Sequence, residues 1–384
     1  MKKILIVHNK YQNIGGEDIA VENEIEILQK YYKVEVLYFK NDKVLTFGQL
    51  ISFATNNNSE SNNLLKHKIS SFKPDIVYIH NTWFKASLGI FKITEKLNIK
   101  TFIKLHNFRY KCTSTLSSSR HPGGEALCKA CGYKRKSLAL LNTYFVESFF
   151  KSVLVLVYGK KYFQILKKGR INLLVLTNFH KNFIKQLGGF KSNIFVFPNP
   201  INFKTNISKT KKEDSILYAG RVSHEKGVDK LIESFLKAKL DATTLKIVGD
   251  GPLLNELKNK YSTNEKIQFL GVLSNKVVLG LIENSIAVVT ATRLYEGQPT
   301  LLCEASSLGV PSIFPKSGGI EEFFPDNYSL SFNQFDYKDL ENKIKLISKT
   351  SQLKEIGNEN KNYIFNYLNE KKLIDSFNMI LDGK

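Results

Sequence analysis

"SILYAGRVSHEKGVDKLIESF", Ser215–Phe235, decides how this chain is built. It reads as a short buried strand, a polar turn and the start of a helix. The turn carries Arg221 and Lys226 within six residues. Two fixed cations at a helix N-terminus suit a diphosphate, because the helix end adds its own partial positive charge. Taken alone, the pair also reads as two solvated cations on a loop.

The same rhythm extends in both directions. Downstream come "TLKIVGDG", "LLNELKNKY", "IQFLG", "VVLGLIENS", "IAVVTAT", "TLLCEASSLG" and "PSIFPKSGG". Upstream, "KILIVHN" is followed by "GGEDIAVENEIEILQKYY", whose Ile19, Ile25, Ile27 and Leu28 fall near helical spacing, and then by "KVEVLYF", "PDIVYIH", "SLGIFKITEKL" and "KTFIKLHN". Continuous apolar strands alternating with helices predict doubly wound parallel sheets. The fold class is therefore α/β with two Rossmann-like domains, over residues 1–200 and 201–365. The junction is expected in "PNPINFKTNISKTKKEDS" (198–215). The tail "LNEKKLIDSFNMILDGK" reads as a closing amphipathic helix, with 366–384 packing back on the N-terminal domain. Open α/β sheets bind ligands outside the carboxyl ends of their strands. Two facing sheets thus predict a ligand in the cleft between them.

Composition bounds the reading. At 384 residues, with 42% hydrophobic and 24% charged, the chain has ample core. A prior of roughly 150 residues per domain gives two or three domains. The apolar run "ILIV" near the N-terminus is too short for a signal peptide and reads as a first buried strand. No stretch approaches the roughly 18 apolar residues that span a membrane. Four cysteines without an export signal point to a reducing compartment and away from a disulfide framework.

The net charge is +21, and it is lopsided. Residues 100–191 hold 18 Lys and Arg against Glu125 and Glu147, a net +16. Such a patch attracts polyanions, either nucleic acid or an anionic membrane face; a plain drift toward lysine is the alternative. Within it, "VESFFKSVLVLVYGKKYFQILKKGR" (146–170) is apolar, aromatic and flanked by lysines. It suits an amphipathic segment at an anionic interface, or a core helix with a basic outer face.

Two glycine pairs and two carboxylates stand out besides. Gly15-Gly16 lie between the first strand and helix, where glycine lets backbone approach a phosphate. Gly318-Gly319 repeat the idea at a second expected helix start. The pattern is neither GxGxxG nor a Walker loop. In "RLYEGQPTLLCEASSLGVP", Arg293–Pro311, Glu296 sits in a turn and Glu304 one to two turns into a helix whose Leu301, Leu302 and Ala305 are expected to be buried. A carboxylate beside apolar neighbours needs partners, and it can accept from two vicinal sugar hydroxyls at once. An exposed helical face is the bland alternative.

In order and spacing, these elements resemble a retaining glycosyltransferase of family four, with the GT-B fold. "GRVSHEKGVDKLIESF", "KIVGDGPL", "FLGVLS" and "EGQPTLLCEA…GVP…SGG" match its donor half, and "IGGEDIAVENE", "DIVYIHNTW" and "KLHNFRYKC" a subset of its acceptor halves. The resemblance implies that Glu304 accepts from ribose hydroxyls and that Glu296 faces the transferred sugar near C3. Arg221 and Lys226 would hold the diphosphate and stabilise the leaving nucleoside diphosphate. Gly318 and Gly319 would join the donor site, and Gly15 and Gly16 would bring backbone to the phosphates. His106, ending "TFIKLH", would lie by the donor sugar, with His80 a weaker candidate.

The chemistry fits. Transfer passes through an oxocarbenium-like state while negative charge grows on the diphosphate, so preorganised positive charge should be the large term. Lys, Arg and helix ends supply it without a divalent metal, and the chain has no DxD pair placed to hold one. Retention is assigned to same-face attack, and no residue stands out as a covalent nucleophile. Two departures from the family pattern stand out. Gln298 stands where an aromatic is frequent, which bears on sugar specificity. Glu321 stands where proline is usual, which leaves Glu322 at the usual glutamate position and mainly affects helix entry.

The implied function is transfer of a sugar from a UDP- or GDP-sugar to a glycan acceptor, lipid-linked, in surface polysaccharide (lipopolysaccharide or capsule) synthesis. The implied location is cytoplasmic, peripheral on the inner face of the membrane, with no cofactor needed for catalysis. A nucleotide-sugar epimerase is the alternative of the same fold, and a basic nucleic-acid-binding protein that of another class. The latter leaves the donor motifs unexplained and shows no recognised nucleic-acid motif. Separately, Cys112, Cys128 and Cys131 form C-x15-C-x2-C, a spacing that suggests structural zinc. The related subset often has a fourth cysteine further on; here none follows until Cys303, and His121 is available as a substitute.

Overall fold

β1 (Lys3–Lys10) buries every residue from Ile4 to Asn9. A strand buried on both faces belongs inside a sheet covered by helices on both sides. That is the arrangement in the computed structural model, which describes all residues except 11–14, 42–50, 53, 118–119, 124–126, 134–148, 202, 204–212, 350–351 and 384. The chain divides into two compact units, Met1–Pro200 with Glu370–Lys384, and Ile201–Asn369.

In unit 1, β1 is followed by α1 (Gly16–Tyr31), β2 (Lys33–Lys40), α2 (Ser59–Phe72), β3 (Ile76–Asn81), α3 (Gly89–Lys96), β4 (Lys100–Leu105), α4 (Phe149–Lys167), β5 (Asn172–Val175), α5 (Asn178–Leu187) and β6 (Ile194–Val196). The strands run parallel in the order β2-β1-β3-β4-β5-β6. The order reverses direction between β1 and β3, which leaves a crevice beyond their carboxyl ends.

Unit 2 contains β7 (Ser215–Ala219), α6 (Val228–Ala238), β8 (Thr244–Val248), α7 (Leu254–Lys260), β9 (Ile267–Gly271), α8 (Asn275–Asn284), β10 (Ala287–Val289), α9 (Thr300–Ser307), β11 (Ser312–Lys316), β12 (Ser331–Asn333), α10 (Tyr337–Lys349) and α11 (Leu353–Tyr367). Its strand order, β12-β11-β10-β7-β8-β9, is the Rossmann order, with the switch point between β7 and β10. Helix α6 shows why these segments fold locally. Val228, Leu231, Ile232, Phe235 and Ala238 form one buried stripe, packed with Ile216, Ile247, Val289 and Leu340 in the unit's core. Each fully buried large apolar side chain of that stripe stabilises by about 1.5–3 kcal/mol.

The closing helix α12 (Glu370–Asp382) returns to unit 1. Phe377 stacks on Phe197 and meets Tyr32 and Tyr78. Lys2 pairs with Asp382, Lys30 with Glu370, and the Lys100 ammonium donates to the Leu381 carbonyl.

Two local expectations change. Gly318-Gly319 open not a helix but the single 3-10 turn Ile320–Phe323. In α9, Leu301 is only half-buried, while Leu302, Cys303, Glu304 and Ala305 are buried. The helix is therefore turned so that Glu304 points inward with the apolar side chains.

Candidate functional site

The turn after β7 is held by the turn after β8. Gly220 N–H donates to the Val248 carbonyl at 2.9 Å, and Val222 N–H to the Asp250 carbonyl at 2.9 Å. This approach requires glycines in "GDG": a Cβ on Gly249 would lie 1.9 Å from the Gly220 carbonyl oxygen, and one on Gly251 2.3 Å from that of Val222. Arg221 is exposed on the turn so fixed. Lys226 ends the 3-10 turn His224–Lys226, and Gly227 then starts α6 with φ 69°. A Cβ on Gly227 would lie 2.1 Å from the Ala291 carbonyl oxygen, so the start of α6 sits directly on the chain leaving β10.

That chain carries Glu296. Its Oε1 lies 2.5 Å from the Lys226 ammonium and accepts from the Thr292 hydroxyl at 2.9 Å. Its backbone forms a parallel bridge with Gly318, and its carbonyl accepts from Gly319 N–H at 2.8 Å. Gly318 has φ 66°, and a Cβ there would lie 2.2 Å from the Glu296 carbonyl oxygen. Lys226, Glu296, Gly318 and Gly319 are thus one constellation at the β7/β10 switch point. Arg293, in the same loop, is engaged otherwise: its guanidinium donates to Asp229 at 2.8 Å and to the Tyr337 hydroxyl at 3.2 Å. It braces the loop against α6 and α10.

Glu304 is 9% exposed, and its Oε1 accepts from Asn275 Nδ2 at 3.0 Å. Burial raises its pKa, and the Asn275 bond partly opposes that rise. Sequence reasoning missed Asn275, because 29 residues separate the partners. Gln298 is buried and bonds the Cys303 thiol.

In unit 1, β1 leads to Gly15 and Gly16 at the start of α1. The Gly15 N–H donates to Asp18 Oδ2 at 2.9 Å, while Oδ1 of the same carboxylate pairs with His8 Nε2 at 2.8 Å. The first amide of the glycine pair is therefore engaged internally. His106 follows β4, with its Nε2 3.2 Å from His80 Nδ1 and the two rings stacked at 5.6 Å. Burial, and then the neighbouring cations and imidazoles, hold both histidines well below their usual range, so the pair is neutral near pH 7. Close by in the fold, the Lys104 ammonium donates to Glu24 Oε2 at 2.7 Å, and the Tyr78 hydroxyl to Oε1 at 2.6 Å. The signal for Glu24 was available: it falls beside Val21, Ile25 and Leu28 on the inner face of α1.

Two further expectations have a place in unit 1. Cys112, Cys128, Cys131 and His121 come together, all buried, with one ligand atom from each within 4.8 Å of the others. Of the 146–170 stretch, 146–148 lie outside the described residues. In α4, Leu154, Val155, Leu156, Tyr158, Phe163 and Leu166 are all buried, while Lys160 and Lys161 on the helix and Lys168 just beyond it are exposed. Most of its described apolar side chains are thus buried, which favours the second of the two readings, a core helix with a basic outer face. Among the described residues, no helix is long and apolar enough to cross a membrane.

Comparison with known proteins bears on unit 2 first. Residues 201–363 match the family model described as glycosyl transferases group 1. The match covers the whole Lys226–Glu296–Gly318 constellation and Glu304. The chain is 25% identical over 169 residues to the amylovoran biosynthesis glycosyltransferase AmsD of Erwinia amylovora, covering 42% of this chain and 48% of that protein. It is 29% identical over 143 residues to the gpi3 subunit of the phosphatidylinositol N-acetylglucosaminyltransferase of Schizosaccharomyces pombe, covering 35% and 31%. Over 162 residues it is 26% identical to the O-antigen biosynthesis glycosyltransferase WbnH of Escherichia coli, covering 41% and 44%. The chain thus spans less than half the length of the curated relatives it matches.

Solved structures extend the likeness to the whole chain. A sucrose-phosphate synthase of Thermosynechococcus elongatus superposes with TM-score 0.72 at 14% identity, covering 100% of this chain and 99% of that one. HepE of Anabaena, in complex with UDP and glucose, superposes with TM-score 0.68 at 15% identity, covering both chains fully. At these identities the likeness establishes the fold, an α/β two-domain fold of GT-B type.

Proposed function

We propose that this chain is a retaining glycosyltransferase that moves a sugar from a nucleotide-sugar donor to a lipid-linked glycan acceptor in surface polysaccharide synthesis, without a divalent metal. The observation that carries the reading is the Lys226–Glu296 pair at the switch point of a Rossmann sheet, locked by Gly318 and Gly227, inside the segment that matches group 1 glycosyl transferases. Lys226 and Arg221 would neutralise the diphosphate as the sugar–phosphate bond lengthens. Glu304 would accept from the ribose hydroxyls, and Glu296 would hold the sugar ring, with attack on the face the leaving group departs from. His106 and the Gly15–Gly16 turn take the roles the resemblance gives them, toward the sugar and the phosphates.

Three names support the finer parts. Two relatives are named for amylovoran and O-antigen biosynthesis, and one for N-acetylglucosaminyl transfer involving phosphatidylinositol. HepE was solved with UDP and glucose and with UDP-glucose, which favours a uridine donor. The net positive charge of residues 100–191 fits a protein that works beside anionic lipid on the inner membrane face.

Calorimetry with UDP, GDP and a panel of their sugars tests the donor. A transfer assay with lipid-linked oligosaccharide then tests the reaction, and the anomeric configuration of the product tests retention. Binding of no nucleotide sugar by the folded protein would overturn the reading. Release or rearrangement of the sugar without any acceptor product would move it to the epimerase alternative.

A further inference from the structure

The donor chemistry proposed above makes no use of the cysteine loop between β4 and α4, yet the loop's organisation is specific. Cys112 opens the 3-10 turn Cys112–Ser114. Cys128 and Cys131 lie on one tight turn, in which both Cys131 N–H and Gly132 N–H return to the Cys128 carbonyl, at 3.2 and 2.7 Å. Gly132 has φ 83°, the left-handed conformation that reverses the chain just after the second thiol. The backbone that brings in His121 lies on the same turn: Lys129 N–H donates to the Gly123 carbonyl at 2.7 Å. A Cβ on Gly123 would come within 2.9 Å of Cys128 Sγ. Side chains 16 residues apart in sequence are thereby aimed at one point.

The geometry points to a structural zinc centre in which Cys112, Cys128, Cys131 and His121 are the four ligands. Cys112 Sγ and Cys128 Sγ are 3.7 Å apart, and His121 Nδ1 is 3.2 Å from Cys131 Sγ. A tetrahedral ion about 2.3 Å from each sulfur separates the sulfurs by about 3.8 Å. A disulfide would need them at about 2.05 Å, and all four cysteines of the chain are free. Three thiols and one imidazole fill a tetrahedron and leave no open position, which makes the site structural rather than catalytic. Binding releases the three thiol protons to solvent and leaves a centre of net charge −1. That charge falls in the most basic part of the sequence, with Lys111 and Lys129 next to ligands, so the centre is electrostatically favoured where it sits.

The consequence is local order. Gly159 of α4 packs on the backbone of Thr113, where a Cβ would lie 2.1 Å from the carbonyl oxygen. A metal at Cys112 therefore clamps the loop to α4, in the segment that begins six residues after His106. The fourth ligand is the histidine, so loss of a cysteine from the pattern seen in the related subset does not imply loss of the metal.

Cobalt(II) titration of the reduced, metal-stripped full chain tests this without any activity assay. The expected result is one cobalt per chain with the intense visible absorption of a tetrahedral thiolate complex, displaced by zinc. Chelation should lower the Tm, and zinc should restore it. Cys131→Ser and His121→Ala should lose the tetrahedral spectrum, whereas His121→Cys should keep it, shifted toward an all-thiolate set. If these variants fail to fold, the wild-type titration and reversible chelation still decide the question. Absence of cobalt uptake by the folded, reduced wild type would overturn the proposal. So would an unchanged spectrum in folded His121→Ala, or a Cys112–Cys128 disulfide in protein prepared without oxidant. Because Cys131→Ser should still bind nucleoside diphosphate, failure of the metal and failure of the glycosyltransferase reading give different results.

Discussion

The Lys226 ammonium lies 2.5 Å from Glu296 Oε1, so the cation proposed for the diphosphate and the carboxylate proposed for the sugar are already paired. Both side chains are partly exposed, at 31% and 23%. An exposed pair contributes about 0–1 kcal/mol to stability. The pairing therefore positions two groups more than it holds the fold.

Glu296→Gln follows from that pairing. The Thr292 hydroxyl can still donate to the amide oxygen, and the backbone bridge to Gly318 is untouched. Stability should change by less than about 1 kcal/mol. Lys226 is then relieved of its carboxylate, so nucleoside diphosphate should bind as tightly as before. Turnover should fall at least about tenfold, because the ring contact matters most as charge develops. Calorimetry beside a transfer assay separates the two, and a loss of nucleoside diphosphate affinity would contradict the assignment.

Glu304→Gln should show the opposite profile. Losing a charged hydrogen bond to the ribose would weaken nucleoside diphosphate and intact donor alike, by about 1.5–3 kcal/mol, or roughly 10- to 150-fold. Burial raises the Glu304 pKa above its unfolded value. The cost of ionising it in the fold is therefore absent below the unfolded pKa and grows as pH rises through the folded one. At neutral pH, Gln keeps the Asn275 bond without that cost, so the Tm of the variant should be no lower than that of the wild type. Donor affinity of the wild type should fall as pH drops through the raised pKa, and the variant should lack this dependence. A variant with lower Tm and unaltered affinity would make Glu304 a structural carboxylate.

The basic surface makes a separate prediction. With most of the described apolar side chains of α4 buried, the membrane attachment proposed above would rest on charge, at about 1 kcal/mol per Lys or Arg near an anionic surface. Changing the exposed Lys160, Lys161 and Lys168 to Gln should weaken binding to anionic vesicles, and binding of the wild type should fall steeply with salt. Equal binding to neutral and anionic vesicles would refute the electrostatic account.

How much of this was legible beforehand depended on the range of the interactions. Strands such as β1 and β3 announce themselves as continuous apolar runs. β5, β6 and β12 span only three or four residues and carry too few positions to show a period. Glu296, Glu304, Lys226 and the glycines stood out as motif positions, because each motif is local. The partners did not: Asn275 reaches Glu304 from another helix, and Thr292 gains meaning only once the loop is folded. Likewise, Gly227 reads as an ordinary glycine until the Ala291 carbonyl is seen beneath it. The inner face of α1 marks Glu24 as an inward carboxylate, but nothing short-range names Lys104 as its partner, since the two lie 80 residues apart.

That pair supports the last prediction. Lys104 and Glu24 are essentially inaccessible, at 0% and 1% exposure of their side chains. Tyr78 donates to the second oxygen of Glu24, and the Lys104 ammonium also contacts the Pro198 carbonyl at 3.4 Å. Burial lowers the Lys104 pKa, and the adjoining carboxylate opposes that. Removing one partner strands the other charge, so Lys104→Met should destabilise by about 3–5 kcal/mol. Adding Glu24→Gln removes the stranded charge while leaving Tyr78 an acceptor. The double variant should therefore recover much of the loss, and in the best case match the wild type. Lys104 also adds to the positive surroundings that keep His106 neutral. The double variant should accordingly raise the His106 pKa toward its ordinary range, visible by NMR titration of the imidazole. Denaturant melts of the two single variants and the double variant measure the coupling. Additive losses would show that the two groups do not act as a pair.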